Sequence, residues 1–116
     1  MAGPDLIYKV ADRTLVESAQ ASGIFRGAPI DLADGFIHFS TAAQLRDTLR
    51  LHFARQGDLM LLAIRVSALD DLRWEPSRGG QLFPHLYGPL PMSAVVHQAP
   101  IAVAADGAVT LPDWVK

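Results

Sequence analysis

The junction between a strand and a helix, at residues 35–44, constrains the fold of this chain more than any other segment. Side chains alternate along GFIHFST, residues 35–41, so Phe36, His38 and Ser40 lie on one face of a strand. Thr41 comes three residues before Gln44, which is the spacing of a capping box. The sequence therefore predicts a strand that leads directly into a capped helix.

This junction is also a candidate binding site. Ala42 and Ala43 are small, so the first turn of the predicted helix is left open, and its free N–H groups can receive a carboxylate or phosphate. The alternative interpretation is an ordinary connection in which Ser40 and Thr41 only cap the helix. The segment alone leaves both interpretations open.

A second informative segment is LFPHLYGPLP, residues 82–91. A glycine and two prolines follow Tyr87, so this segment is not a regular helix and is predicted to be an extended arm or turn. His85 and Tyr87 are two residues apart and would face the same way. Each residue also has an ordinary explanation: His85 can be a structural histidine, and Tyr87 can be a half-buried ring with a solvated hydroxyl.

Glu75 lies just upstream, in the motif RWEPSR at residues 73–78. It stands between an aromatic residue and a proline and is followed by a glycine-containing loop. Its ordinary explanation is an ion pair with Arg73 or Arg78. Its alternative role is that of an acid or base beside the histidine of the arm.

Taken together, these blocks resemble the signature blocks of the domain-of-unknown-function family numbered 952, which are small bacterial single-domain proteins. The resemblance rests on GFIHFST with Gln44, on RWEPSR and on FPHLYGPLP at residues 83–91, and LIYKV at residues 6–10 also fits. It spans about residues 5–101. It implies a fold similar to that of the ADP-ribosyltransferase superfamily, whose members bind NAD in a cleft between two packed sheets.

The resemblance also implies roles for individual residues. In a transferase of this kind, histidines and hydroxyls hold ribose and phosphate oxygens, and a glutamate stabilises oxocarbenium charge or takes a proton. Lys9 or Tyr8 stands where that superfamily has a basic residue on its first strand. The cofactor-binding candidates are His38, Ser40, Thr41 and Gln44. The catalytic candidates are Glu75, His85 and Tyr87.

Composition predicts one cytoplasmic domain over residues 1–116, with residues 1–4 as a disordered lead. A chain of 116 residues can bury one core, and its start lacks the basic and apolar regions of a signal peptide. The absence of cysteine excludes disulfides, thiol catalysis and thiolate metal sites. The four histidines lack paired ligand spacing, so no metal site is predicted.

The charge pattern narrows the possible partners. A net charge of −2 does not favour DNA binding, and no apolar run is long enough to cross a membrane. Arg46 and Arg50 are one helical turn apart and could share an anion, or they form a solvated helix face with Asp47. The expected partner is a small molecule or nucleotide, with NAD as the candidate cofactor. The sequence does not determine the oligomeric state.

The order of elements predicts the fold class. Strands are expected at residues 6–10, 36–40 and 59–64, the last buried on both faces, and helices at residues 12–22 and 42–55, with a loop at residues 25–35. Pro100 predicts an edge strand or a break, and Asp106 with Gly107 predicts a terminal hairpin between residues 101–103 and 109–111. We therefore expect an α+β fold with a mainly antiparallel, bent or split sheet and two early helices.

Three functional hypotheses follow from these residues. The first is a polar ligand pocket in which His85 and Tyr87 of the arm lie beside the hydroxyls of Ser40 and Thr41, with or without transferase activity. The second is a non-catalytic binding or interaction module, in which the same residues form a buried polar network. The third is a hydrolase or isomerase that uses His85 and Glu75 as an acid–base pair.

Overall fold

Antiparallel strand pairing organises the computed structural model, which describes residues 3–116 except for the side chain of Arg78. The first two residues of the predicted disordered lead lie outside the described residues. The elements in chain order are β1 Leu6–Asp12, α1 Arg13–Ser22, β2 Ile24–Phe25, α2 Pro29–Asp34, β3 Ile37–His38, α3 Ala42–His52, β4 Leu59–Arg65, β5 Leu72–Pro76, β6 Leu82–Leu86, β7 Leu90–Pro91 and β8 Val95–Ile101.

The first sheet has the strand order β1-β4-β8, with β4 in the middle. Leu59 and residues 61–64 of β4 are buried, which confirms the prediction of a strand covered on both faces. Strand β8 lies at the edge and pairs Pro100 with Met60. The proline therefore sits on an edge strand, as predicted.

The second sheet has the order β3-β6-β5, and a short β2-β7 ladder lies apart from it. The register of β3 and β6 places His38 opposite His85. An isolated bridge joins the two larger sheets, because Tyr8 and Ser40 exchange both backbone hydrogen bonds, at 2.8 and 2.9 Å. The sheet is thus split, and the arm that carries His85 lies beside the junction at residues 35–44.

The core lies on both faces of the first sheet. Alternate residues of β1 and β4 face opposite sides, so Ile7 and Leu62 join one apolar cluster while Tyr8 and Leu61 join the other. Helix α1 and the second sheet cover the first side. Helix α3, through Leu45 and Leu49, and the C-terminal segment cover the second side.

Helix α3 and its cap agree with the prediction at its start and differ at its end. Thr41 Oγ1 accepts from the Gln44 backbone N–H, and the Gln44 side chain accepts from the Thr41 N–H at 3.0 Å, so the capping box is confirmed. The helix ends at His52, three residues earlier than expected. Phe53 takes the C-cap position and packs against the core from there.

Two sequence predictions are wrong. Residues 25–35 are not a loop throughout, since α2 occupies Pro29–Asp34, with Pro29 at its start and Gly35 in the left-handed conformation at its end. The terminal hairpin does not form. Asp106 and Gly107 lie in a turn, but residues 102–116 contain no strand, and they pack Trp114 and Val115 against the second core cluster.

The fold class is α+β with mostly antiparallel pairing, as expected, although it contains three α-helices in residues 3–116 and not two. The finer expectation of an ADP-ribosyltransferase-like fold is not established by this topology and remains a prediction. Over the same residues, no helix combines the length and apolar character needed to cross a membrane.

Candidate functional site

A cavity of about 510 Å³ lies between α2, α3 and the β3-β6 ladder. Its volume falls within the range of small-molecule sites. Its apolar walls come from Tyr8, Val10, Ile30, Phe39, Leu45, Phe53 and Phe83. Its polar lining comes from Lys9, Asp34, His38, Ser40, Thr48, His52, Ser77 and His85.

His85 is held by Glu75 on the neighbouring strand. The imidazole is buried, at 4% exposure, and its Nδ1 lies 2.8 Å from Glu75 Oε1. The Tyr87 hydroxyl donates to the same oxygen at 2.8 Å. Because a carboxylate only accepts hydrogen bonds, Nδ1 of the neutral imidazole carries the proton and Nε2 carries the lone pair.

These contacts change the acidity of both partners of His85. The hydrogen bonds from His85 and Tyr87 lower the pKa of Glu75 below its ordinary value, so the carboxylate stays ionised. The hydrogen bond to Glu75, assisted by desolvation, raises the pKa of Tyr87, so its hydroxyl keeps its proton. The arrangement is a carboxylate that accepts from an imidazole and a phenol.

The other ring nitrogen of His85, Nε2, is buried and has no hydrogen-bond partner among residues 3–116. His85 itself lines the cavity. A buried polar atom without a partner is uncommon and costs about 1–3 kcal/mol. His85 therefore carries an unpaired acceptor next to the cavity.

Phe36 fixes the rings around this acceptor. Its ring stacks on His85 with centroids 4.1 Å apart and contacts His38 at 4.6 Å and Tyr87 at 5.2 Å. The Arg73 guanidinium lies 4.2 Å from the centre of the Tyr87 ring. These contacts limit the motion of both imidazoles, whose centroids are 5.5 Å apart.

Asp31 is the centre of a second polar group, which joins β1, α2 and β3. Its carboxylate, 1% exposed, accepts from Lys9 Nζ at 2.8 and 2.9 Å, from the Ala28 N–H at 2.8 Å and from the His38 N–H at 3.1 Å. His38 Nδ1 also lies 2.6 Å from Asp31, and its Nε2 lies 2.9 Å from Asp34. His38 therefore bridges two carboxylates of α2, and doubly protonated it donates to both.

The environment of Asp31 sets its pKa. Burial raises this pKa, but the hydrogen bonds from His38 and Lys9, the Lys9 charge and the Ala28 N–H outweigh burial and lower it to about 2 from 3.8. Burial lowers the pKa of Lys9 more than Asp31 raises it.

This pKa predicts an acid-sensitive fold. A carboxyl with a lowered pKa in the folded state stabilises the protein above its unfolded pKa, here 3.8, and the contribution disappears as the pH falls through about 2. We expect Asp31 to contribute about 2 kcal/mol at neutral pH that is lost over this window. Urea denaturation between pH 5 and 2 measures it, since Asp31→Asn should show a shallower acid limb than the wild type.

At the start of α3, the capping box and a contact with β6 use the side chains that were predicted to bind an anion. Thr41 and Gln44 satisfy each other, and Gln44 Nε2 donates to the Leu82 carbonyl at 2.8 Å, which ties α3 to β6. Ala42 and Ala43 line a separate surface hollow against the C-terminal segment. This helix end therefore does not face the cavity.

The other predicted residues divide into two groups. His38, Ser40 and His85 line the cavity, whereas Glu75 and Tyr87 lie behind His85. The Ser40 hydroxyl bonds to Thr48 Oγ1 at 2.8 Å, so it is not paired with His85 in this structure.

The arginines on α3 have partners within the protein. Arg46 donates to the Val109 carbonyl, and Arg50 approaches Asp47 at 3.4 Å. Arg73 pairs with Asp71 and not with Glu75. These contacts agree with the interpretation of the arginines on α3 as a solvated helix face.

Sequence reasoning missed several residues of the site region. Asp31 and Asp34 were not proposed, and neither were Phe36 as a stacking ring and the polar lining residues Thr48, His52 and Ser77. The sequence did offer a signal for Asp31 and Asp34, because Pro29 followed by two aspartates and Gly35 has the start and stop residues of a short helix.

In the described part of the chain, no cluster of three or more histidine or acidic residues has the arrangement of a metal site.

Comparison with solved structures shows that the chain is similar to a protein of Caulobacter crescentus. The crystal structure of protein CC0527 from Caulobacter crescentus is 46% identical, with a TM-score of 0.87, and the match covers 95% of this chain and 97% of that one. A double methionine variant of CC0527 gives 45% identity with the same TM-score and coverage. The solution NMR structure of CC0527 gives 47% identity and a TM-score of 0.79, over 91% of each chain.

None of the curated proteins compared matches the chain. The model of the family described as "Protein of unknown function (DUF952)" matches residues 10–98, which include the cavity residues of β3, α3 and β6. The resemblance inferred from the sequence blocks is therefore confirmed, and this chain belongs to the DUF952 family.

Proposed function

We propose that this protein binds a small molecule in the cavity, with Nε2 of His85 accepting a hydrogen bond from that molecule. The observation that carries the proposal is the buried, unpartnered Nε2 of a histidine that lines a cavity of about 510 Å³. Glu75 and Tyr87 support it from behind, because they hold the imidazole in the tautomer that presents a lone pair.

The contact pattern of His85 favours this proposal over a purely structural network. In a structural network each buried polar atom is satisfied by its neighbours, as all the donors around Asp31 are. His85 is satisfied at Nδ1 only, because its Nε2 has no partner in the described part of the chain. A hydrogen-bond donor on a bound molecule would pair with Nε2 and remove the free-energy cost of burying this atom without a partner.

The same geometry can support acid–base chemistry. An imidazole whose Nδ1 donates to a carboxylate can take a proton at Nε2, and the carboxylate then stabilises the imidazolium. The reaction class is proton abstraction from an O–H or N–H group of the ligand. Ser40 is not engaged as a nucleophile, since its hydroxyl bonds to Thr48.

NAD binding with ADP-ribosyl transfer remains the finer prediction from the family resemblance. In its favour, His38, Ser40 and His85, which were predicted to contact such a ligand, line one cavity. The test is a titration with NAD, ADP-ribose and inorganic phosphate. Its readout is the nitrogen-15 signal of the histidine side chains.

The experiment is nitrogen-15 NMR of the histidine side chains during titration with NAD, ADP-ribose, phosphate and a panel of neutral fragments. We expect at least one compound to shift His85 Nε2 at millimolar concentration. His97, which stacks on Trp114 with centroids 5.1 Å apart and does not line the cavity, should not move.

Replacing His85 by phenylalanine keeps a ring against Phe36 and removes both nitrogens. We expect His85→Phe to weaken binding by about tenfold or more, which corresponds to one lost hydrogen bond of about 1.4 kcal/mol, while His97→Phe leaves binding unchanged. The structural-network alternative replaces this proposal if no compound shifts the His85 signal and if His85→Phe lowers the free energy of unfolding by more than about 2 kcal/mol.

A further inference from the structure

We infer that the ligand of this cavity is an uncharged molecule with an apolar body and one O–H or N–H donor. The inference rests on the proposed function, since it names the class of ligand that His85 accepts. It is carried by the charges and the walls of the cavity.

The positive charge of the cavity is already paired. Among the described side chains that line it, Lys9 supplies the one lysine or arginine charge. Both Asp31 oxygens lie within 2.9 Å of its Nζ, and the pair is buried. An anionic ligand would have to compete with Asp31 for this ammonium.

Asp34 makes the cavity still less suited to an anion. Its carboxylate belongs to the lining and faces His38 Nε2 at 2.9 Å. Lys9, Asp31, Asp34 and a protonated His38 together carry no net charge, and with a neutral His38 they carry one negative charge. In neither state does the group attract an anion, and bringing a phosphate or carboxylate out of water here would be uncompensated.

A cation is also poorly matched. The negative charges of Asp31 and Asp34 are already directed at Lys9 and His38. Much of the remaining wall is aliphatic or aromatic, including Leu45, Phe53 and Phe83. Such a surface stabilises an apolar body but does not replace the hydration that a charged group loses on binding.

Ser77 and His52 also line the cavity but are exposed. Among the buried polar atoms of the described lining, the one without a partner is His85 Nε2 with its lone pair. It matches a single donor on the ligand. A buried acceptor that pairs with a donor discriminates strongly against analogues that lack one, because the acceptor would then stay unpaired. The class is therefore that of neutral phenols, alcohols and carboxamides with an apolar remainder.

The test uses three probes of nearly the same shape. Benzamide is neutral and carries N–H donors, benzoate is its anionic counterpart, and benzamidine is its cationic counterpart. Each is titrated into the full-length wild-type protein, and His85 Nε2 and the backbone amides of β3 and β6 are followed by NMR. We expect benzamide to bind at least about tenfold more tightly than either charged probe, and we expect His85→Phe to lose this preference.

Each result decides between the inference and the function on which it rests. If benzoate or benzamidine shifts His85 as strongly as benzamide, the uncharged class is overturned while ligand binding at His85 stands. The uncharged class is likewise overturned, and ligand binding at His85 stands, if benzamide does not shift the His85 signal but NAD or phosphate does. If none of these probes and no neutral fragment moves His85, both the inference and the proposed function are overturned.

Discussion

Replacing Asp31 by asparagine should lower the free energy of unfolding by about 3–5 kcal/mol, the loss typical of breaking a buried ion pair from one side. The substitution keeps the shape of the side chain but leaves the ammonium of Lys9, itself 4% exposed, without a counter-ion. It also weakens the acceptor that holds the Ala28 N–H and His38. Urea denaturation at pH 7 measures the loss.

Two further variants make this prediction specific. Lys9→Met combined with Asp31→Asn removes both charges, and we expect the double variant to be more stable than Asp31→Asn alone. It also serves as the measurement if the single variant does not fold. Asp58→Asn breaks the exposed pair with Arg13 and should change stability little. An Asp31→Asn variant as stable as Asp58→Asn would show that the Lys9 pair does not hold α2 to β1.

The parts of the fold that were predicted correctly are those with local signals. The capping box of Thr41 and Gln44 depends on residues three apart, and it formed as expected. The apolar run that became β4 needed only its own composition. The proline-bounded arm could be recognised as extended because its residues exclude a helix.

The missed parts depend on contacts distant in sequence. Helix α2 has six residues and no apolar stripe, since Ile30 and Leu32 are 61% and 66% exposed, so periodicity did not reveal it. It is held by Asp31, whose ion pair with Lys9 spans 22 positions. The C-terminal segment has turn residues typical of a hairpin, but packing of Trp114 against Tyr8 and His97 determines its course.

The part of the candidate site that was predicted correctly also depends on a local signal. Period-two alternation placed His38 and Ser40 on one side of a strand, and both line the cavity. The sequence did not show the register of β3 and β6, which places His85 opposite His38, or that Glu75 would contact His85 and not Arg73. Strand register is set by packing between segments and cannot be deduced from one segment alone.

Replacing Glu75 by alanine should reduce the affinity for a ligand of the cavity, but by less than the loss of about tenfold expected for His85→Phe, because it weakens the presentation of the acceptor and does not remove it. Glu75 is a positioning residue, because it touches His85 and Tyr87 and does not line the cavity. Without it, the His85 proton is no longer confined to Nδ1, and Nε2 presents its lone pair for only part of the time. Nitrogen-15 NMR of His85 reports this change in tautomer directly, without any ligand.

Glu75→Gln separates positioning from charge. The amide oxygen can still accept from His85 and Tyr87, so we expect this variant to keep the tautomer and most of the ligand affinity. Glu75→Ala removes both the hydrogen bond and the charge that raise the pKa of Tyr87, whereas Glu75→Gln removes the charge alone. Absorbance titration should therefore show Tyr87 ionising at lower pH in both variants, with the larger change in Glu75→Ala, and Tyr87→Phe identifies the signal. If Glu75→Ala leaves His85 in the wild-type tautomer while Tyr87 shifts, the imidazole is oriented by the stacked ring of Phe36, and Glu75 has no role in presenting Nε2 to the cavity.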